Sequence, residues 1–415
     1  MKRVVHYSLP DLFTSIPSSS SFAGETTISM SGALEADLDV WDVRVKVEEN
    51  GYYWKKDPVY APAKGLKPGA PLVVELFSGC GGTSLGFEMA GCEIALGADI
   101  HRPSVATFRK NHPNSAWILG DVKKISPALI SELVGWRQVD VLVAGVPCQG
   151  FSLNNRKRHD GDERNFLFRE FIRFVEHLKP KCIVVENVSG MRSAGNGTVV
   201  KEIEAALSES GGMTVSSSML SAHDYGVPQK RNRLIFVGVR DASFDFSAIK
   251  KTHGPGRAHP YVTVADAIGD LPSLGNGESA QRYASAPKSD YQRLMRANAP
   301  NRLTNHRAPK HPRATVKRIA STKPGSPMYP RFKQRIRLAM NGQSPTQVSG
   351  GIRPQFQFGH PSDPRGLSIR ERCRLQSFPD RFIVEGGLVQ GRVQTGNAVP
   401  PLLAKAVALA IKRFL

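Results

Sequence analysis

The chain has 415 residues, enough for one large and one smaller domain at roughly 100–200 residues each. Its 40% hydrophobic and 22% charged content belongs to a globular protein with a buried core, which excludes wholesale disorder. Fifty-six Lys and Arg against 36 Asp and Glu leave a net charge of +20, so a polyanionic partner is expected. No stretch approaches the roughly 18 uninterrupted apolar residues of a spanning helix, which disfavours a membrane. The opening MKRVVHYSLPDLF has neither the apolar run nor the cleavage site of a secretory signal. Cys80, Cys92, Cys148, Cys182 and Cys373 are scattered, without a CxxC pair, and no HExxH occurs. That pattern speaks against a disulfide framework or a metal centre and fits a reducing cytoplasm.

Residues 1–70 read as an extension of unknown role, with a net charge of −1. Thr14 to Ser21 is Ser-rich, as in flexible segments. Val43, Val45 and Val47 then alternate with polar residues, and Asn50-Gly51 precedes Tyr52-Tyr53-Trp54, the signature of a hairpin with a type I′ turn.

From residue 71 short apolar runs alternate with amphipathic segments. Strands are expected at Leu72–Phe77, Glu93–Ala98, Ala116–Leu119, Val139–Ala144, Cys182–Glu186 and Leu234–Val239. Helices are expected at Thr83–Ala90, Pro103–Asn111, Pro127–Val134, Phe166–Leu178 and Val199–Ser208. Such alternation predicts an α/β fold with a doubly wound, mostly parallel sheet covered on both faces.

Three points along these strands carry chemistry. The first strand runs into Ser78-Gly-Cys-Gly-Gly-Thr83, the place where an open α/β sheet binds a nucleotide-like ligand. The last Gly of a G-x-G-x-x-G pattern falls on Ser84, which disfavours a dinucleotide, and a plain tight turn is the alternative. Asp99 ends the second strand, placed for a ribose diol; Asp121 follows the third, placed for an adenine amino group. The fourth strand leads to Gly145-Val-Pro-Cys148, and a free Cys is usually a small buried hydrophobe. Cys148 differs because it lies past a strand's carboxyl end and precedes Arg156, Lys157 and Arg158, which favour a nucleophilic thiolate. Glu186 ends the fifth strand; it is either a solvent-facing exit residue or, if strands four and five are neighbours, an acid–base partner for Cys148. Arg231 and Arg233, two apart before the sixth strand, share one face and suit a phosphate, a carboxylate or an ordinary salt bridge.

Residues 251–345 hold seventeen Lys and Arg and four Asp and Glu, a net of +13 of the whole chain's +20. Within 291–340 there are thirteen basic residues, no acidic one, and the aromatic Tyr291, Tyr329 and Phe332. A short charge run is usually a solvated face, but this length points to phosphate contact. After the Pro/Gly/Arg-rich stretch, Ala404, Val407, Ala408 and Ile411 recur at helical spacing, as in a closing helix.

The ordered set ELFSGCGG, GVPCQGFS, VVENVSG, QKRNRLIFVGVR, SIRERCRLQSFPD and GNAVPPLLAKAVA resembles the DNA (cytosine-5)-methyltransferase family, in its bacterial restriction–modification form. Six motifs in the right order are specific, and they cover about 71–240 and 346–415. Glu75 departs from the Asp usual in the family but keeps the carboxylate. The resemblance implies a Rossmann-like S-adenosylmethionine-dependent methyltransferase fold with a smaller, irregular, basic target-recognition domain. Its units would be 71–245 for catalysis and cofactor, 246–345 for target recognition, and 346–415 returning to the catalytic unit. It implies that Cys148 adds to cytosine C6 while Glu186 contacts N3 and the exocyclic amine. Arg231 would contact the adduct, and Arg233 would hold the shell around it. S-adenosyl-L-methionine would lie among Phe77, Gly79, Gly81, Asp99, Ile100, Asp121, Val122 and Asn397. The implied partner is double-stranded DNA, with the target base flipped out. A monomer serving alongside a cognate endonuclease is the expected setting. A tRNA cytosine-5 methyltransferase would not need so large a basic insert, and a nicotinamide oxidoreductase explains neither Cys148 nor Glu186. A catalytically dead regulator would not need an intact Cys148, Glu186 and Arg231.

Overall fold

Period-two alternation of apolar side chains decides how this chain layers. In a computed structural model, residues 51–53, 57–146, 165–191, 198–349 and 357–415 are described. The Ser-rich segment and the expected hairpin strand at Val43–Val47 lie outside the described residues. In chain order the first elements are β1 (Val59–Ala61), β2 (Leu72–Leu76), α1 (Gly82–Met89), β3 (Glu93–Asp99), α2 (Arg102–Asn111) and β4 (Ala116–Leu119). There follow α3 (Pro127–Leu133), β5 (Val141–Ala144), α4 (Asn165–Leu178), β6 (Cys182–Val188), α5 (Thr198–Gly211) and β7 (Met213–Ser221). After β8 (Gln229–Lys230) and β9 (Asn232–Arg240) come three short helices, α6 (Val264–Ile268), α7 (Asp290–Arg296) and α8 (Arg313–Ser321). The chain closes with β10 (Ser344–Pro345), α9 (Ile369–Leu375), α10 (Gly387–Asn397) and α11 (Pro401–Ile411). No helix among the described residues is long and apolar enough to cross a membrane.

The main sheet has eight strands in the order β1-β4-β3-β2-β5-β6-β9-β7. The five from β4 to β6 are parallel, β1 is antiparallel on β4, and β9 runs antiparallel between β6 and β7. Leu72, Val74, Leu76, Leu142, Ala144, Ile183 and Val185 face one layer, under Phe171 and Phe174 of α4 and Leu207 of α5. Their alternates Val73, Val141, Val143, Cys182 and Val184 face the other, under Leu403, Val407 and Ile411 of α11. Both faces are buried, so these strands read as continuous apolar runs. The α/β reading is therefore met, and β5 and β6 are neighbours.

Helix α11 reaches the sheet by packing on α1. A Cβ on Gly86 would stand 2.4 Å from that of Ala404, so only glycine permits the approach.

Past β9 the small core of Val264, Ala267, Ile268, Tyr291, Met295 and Leu338 is shared with Phe358, Leu367 and Leu375. One core thus runs across residue 345, and buried arginines stitch it together. Arg374 meets Asp380 through Nε at 2.6 Å and Asp270 through Nη1 at 3.1 Å, all three side chains being essentially inaccessible. Arg365 is paired with Asp363 and Glu371, and Arg370 donates to the carbonyls of Thr304, Pro379 and Phe382. Burial alone would raise the Asp380 carboxyl, but hydrogen bonds from Arg374 and the charge of Arg370 outweigh it and hold it below the usual range.

Arg374→Met would take from Asp380 its nearest cation and leave Asp270 to Arg296 and Asp380 to Arg370, and should cost about 3 kcal/mol, read as a lower urea midpoint. A depressed folded pKa stabilises above the unfolded value and is lost as pH falls through the folded one. The wild-type protein should therefore lose stability progressively below about pH 4, and Arg374→Met should flatten that acid limb. An unchanged midpoint would mean that the carboxylates are solvated.

Candidate active site and nucleic-acid face

Chain order reverses between β2 and β5: β3 and β4 build outward on one side of β2, β5 and β6 on the other. Outside the carboxyl ends of two such strands an open α/β sheet has its crevice. The glycine-rich turn leaves β2 at this point. Phe77 and Gly79 take positive φ, +54° and +53°, and a Cβ on Gly79 would meet nothing within 4 Å. Positive φ at a non-glycine residue such as Phe77 is a strained state that concentrates at functional sites. The hydroxyl of Ser78 is buried without a hydrogen-bond partner among the described residues. Open space above Gly79 and an unsatisfied hydroxyl beside it make a cradle for a polar ligand.

Asp99 stands at that cradle. Its Oδ2 accepts from Gly79 N at 2.8 Å and its Oδ1 from His101 N at 2.7 Å. A carboxylate has roughly four acceptor positions, so capacity remains for a diol. Burial pushes its pKa up. Asp121 follows β4 half-buried and accepts from Lys123 N at 3.1 Å, while Val122 is packed in the core. Gly81 turns at φ +89° against the Phe108 ring. Asn397 is the exposed last residue of α10, and Val399 just beyond it presses on Gly82, where a Cβ would lie 2.4 Å from the Val399 carbonyl oxygen. Phe77, Gly79, Asp99 and Ile100 are all half-buried beside this turn. In β2 itself, Glu75 accepts from Ser84 N at 2.9 Å and from the Ser84 hydroxyl, and burial pushes its carboxyl up to about 7.

Across the crevice, Glu186 of β6 faces the chain leaving β5. A Cβ on Gly145 would stand 3.7 Å from Glu186 Oε2, and Asn187 Nδ2 donates to Val146 O at 3.3 Å. Cys148, two residues beyond Val146, lies outside the described residues, as do Arg156, Lys157 and Arg158. Arg233 Nε approaches Glu186 Oε1 at 2.5 Å, with both side chains largely buried. Arg231 goes elsewhere: it is wholly buried and donates to Gln347 O at 2.9 Å and Gly396 O at 2.8 Å. Its pKa falls through burial first and then the charge of Arg233. The guanidinium expected to meet a reacting base is thus occupied in fastening the returning chain, and Arg233 is the one on the carboxylate.

The sequence profile of C-5 cytosine-specific DNA methylases matches residues 72–413. The chain belongs to that family. It is a DNA (cytosine-5)-methyltransferase. It is 35% identical over 371 residues to the type II methyltransferase M.DdeI of Desulfomicrobium norvegicum, across 82% of this chain and 88% of that protein. With M.AgeI of Thalassovita gelatinovora the identity is 30% over 427 residues, across 82% of this chain and 98% of the other. A crystal structure titled as a DNA modification methyltransferase encoded within an E. coli prophage superimposes with a TM-score of 0.69 at 25% identity, covering 83% and 99% of the two chains. Spodoptera frugiperda DNMT2, at 16% identity and a TM-score of 0.56 over 83% and 100%, shares the fold.

In this methyltransferase the thirteen basic residues of 291–340 divide by environment. Arg335 is buried over Phe332, its Cζ 4.5 Å from the ring centroid. Arg296 pairs with Asp270 at 3.2 Å and lies over Tyr283. Arg337 donates to the carbonyls of Ala320, Thr322, His360 and Ser362. These three build the insert. The other ten are exposed, among them Arg313 and Lys317, one turn apart on α8.

Removing the Arg231 fork should leave two buried carbonyls unsatisfied. Arg231→Ala is expected to lose on the order of 3 kcal/mol in urea unfolding, and Lys should not restore it, because one ammonium cannot reproduce the two-pronged contact. Full stability of either variant would remove Arg231 from its fastening role.

Proposed function

We propose that this enzyme methylates carbon 5 of one cytosine in a specific double-stranded DNA sequence, with S-adenosyl-L-methionine as methyl donor and Cys148 as nucleophile. The observation that supports this most is the approach of Glu186 to Gly145, three residues before Cys148. Cytosine C5 is a poor nucleophile until its aromaticity is broken. The Cys148 thiolate adds to C6, and electron density moves toward C5 and N3. Glu186, steadied by Arg233, holds a proton at N3 and receives the exocyclic amine, stabilising the enamine. The cofactor, when bound, supplies an electrophilic methyl group to C5. A base then takes the C5 proton, the C5–C6 double bond reforms, and Cys148 leaves as thiolate. For the cofactor, the open turn at Gly79, the Ser78 hydroxyl without a partner among the described residues and the spare acceptor capacity of Asp99 fit a ribose and its amino-acid tail.

Residues 246–345 act in this reading as the target-recognition unit, and 71–245 with 346–415 as the catalytic unit. Base flipping costs a few kcal/mol of unstacking, which contacts from ten exposed cations help offset. The relatives named as type II methyltransferases support a role in protecting cytoplasmic host DNA from a cognate endonuclease, with a monomer acting on its duplex.

Wild-type enzyme should form a covalent adduct on 5-fluorocytosine DNA, since fluorine cannot leave C5 as a proton, and Cys148→Ser should form none. Glu186→Gln should slow turnover by about 10²–10⁴ with little change in cofactor affinity. Absence of the wild-type adduct would refute the nucleophile.

DNA binding should weaken with salt at a logarithmic slope of about −0.9 per phosphate neutralised. Lys317→Ala should flatten the slope by about one, weakening all sequences alike. Arg337→Ala should lower the melting temperature instead. Equal slopes for wild type and Lys317→Ala would take α8 off the duplex.

A further inference from the structure

The residues matched to the family begin at 72, yet described residues before that point reach the two strand ends where the cofactor is expected. Tyr52 pairs with His101 in an antiparallel bridge, two residues past Asp99. Its ring meets the His101 ring at a 44° tilt with centroids 5.0 Å apart, and Tyr53 N donates to Ile100 O at 3.0 Å. Further along, β1 pairs with β4 so that Val59 faces Leu119 at that strand's carboxyl end. There Pro58 fills the space over Gly120, where a Cβ would come within 2.9 Å of the proline's own Cβ. Asp121 is the next residue. The segment is therefore fastened beside both carboxylates expected to hold an adenosine, Asp99 and Asp121.

The base on which Tyr52 rests is itself rigid. His101 is buried, with Nδ1 2.8 Å from Ser104 Oγ and Nε2 2.9 Å from Gln390 Oε1 of α10, the helix that ends in Asn397. Arg102 lies over the Tyr53 ring at 5.5 Å. Burial first, and then the charge of Asp99, push the Tyr52 phenol upward. Buried Gly51 turns at φ +86° immediately before it.

We propose that Tyr52 forms a wall of the S-adenosylmethionine pocket at its ribose end, so that this enzyme completes its cofactor site with a segment from outside the family core. The inference rests on the cofactor reading above. An aromatic face against a fixed imidazole excludes water from the edge of a nucleoside and gives it apolar surface to pack on. It supplies binding that is equal before and during methyl transfer, so its loss should appear in KM and leave kcat alone.

The test is titration of the full-length protein with S-adenosylhomocysteine, alongside DNA binding and thermal unfolding. Tyr52→Ala should bind the nucleoside about ten-fold more weakly, and KM for S-adenosylmethionine should rise in step while kcat holds. DNA affinity should stay at the wild-type value. Tyr52→Phe, which keeps the ring on His101, should remain within about two-fold of wild type. Wild-type affinity in Tyr52→Ala would overturn the proposal while leaving the methylation reading intact. So would a parallel fall in nucleoside affinity, DNA affinity and melting temperature, which marks a merely structural residue. A wild-type protein that binds DNA but no S-adenosylhomocysteine would overturn the cofactor reading, and this inference with it.

Discussion

Everything at the active face depends on the reversal of strand order between β2 and β5. In a parallel sheet wound in one direction, every connection folds back over the same side and no gap opens at the carboxyl edge. Where winding changes direction, the loops after two adjacent strands part company. Here one of those loops is the glycine turn after β2 and the other is the exit from β5 toward Cys148. The next strand out, β6, brings Glu186 up to the same gap. The glycine-rich turn, the exit from β5 and Glu186 are thus neighbours by topology, although 111 positions separate Glu75 from Glu186 in the sequence.

Buried arginines tie the returning chain to the rest of the fold. The strongly basic composition suggests a surface spread with charge, yet Arg231, Arg335, Arg365, Arg370 and Arg374 are among the most deeply buried side chains. Such burial needs compensation, because an uncompensated ion costs several kcal/mol; Arg335 has its aromatic faces, Tyr329 and Phe332. Arg365 and Arg374 meet carboxylates, while Arg231 and Arg370 meet main-chain carbonyls. Two populations of cation coexist in one chain. The inner one orients the parts, and the outer one includes ten exposed cations between 291 and 340.

This division explains what could be read from the sequence and what could not. All six expected strands exist, within two residues at each end, because a strand buried on both faces must be an apolar run. Strand β7 was not expected: MTVSSSMLS carries four serines, and pairing with β9 rather than apolar pattern holds it in place. The places of the turn, Asp99 and Glu186 at strand exits were legible because a polar residue at the end of an apolar run marks where a strand leaves the core. Arg231 was placed by resemblance on the reacting base, since nothing in QKRNR distinguishes a buried fork from a facing one. The distinction is made by Gln347 and Gly396, both more than a hundred residues away. The hairpin read at Val43–Val47 and Asn50-Gly51 is a local turn signal whose first arm lies outside the described residues, and the bridge of Tyr52 to His101 had no local signal at all.

The same network limits how independent recognition can be from catalysis. An insert that read DNA as a separable module would have its own core and a thin polar boundary. Residues 246–345 instead share one apolar core with Phe358, Leu367 and Leu375, and their Asp270 is a counter-ion of Arg374. Thr304 likewise accepts from Arg370. Any insert that seats on this catalytic unit must therefore bring a carboxylate at the position of Asp270, or Arg374 loses half its pairing. Helix α8 buries a single side chain, Ile319, and a Cβ on Gly359, the neighbour of Phe358, would come within 3.1 Å of it, so this helix too is seated on the seam. The seam constrains a few interior positions, and the exposed face of α8 is left free to vary.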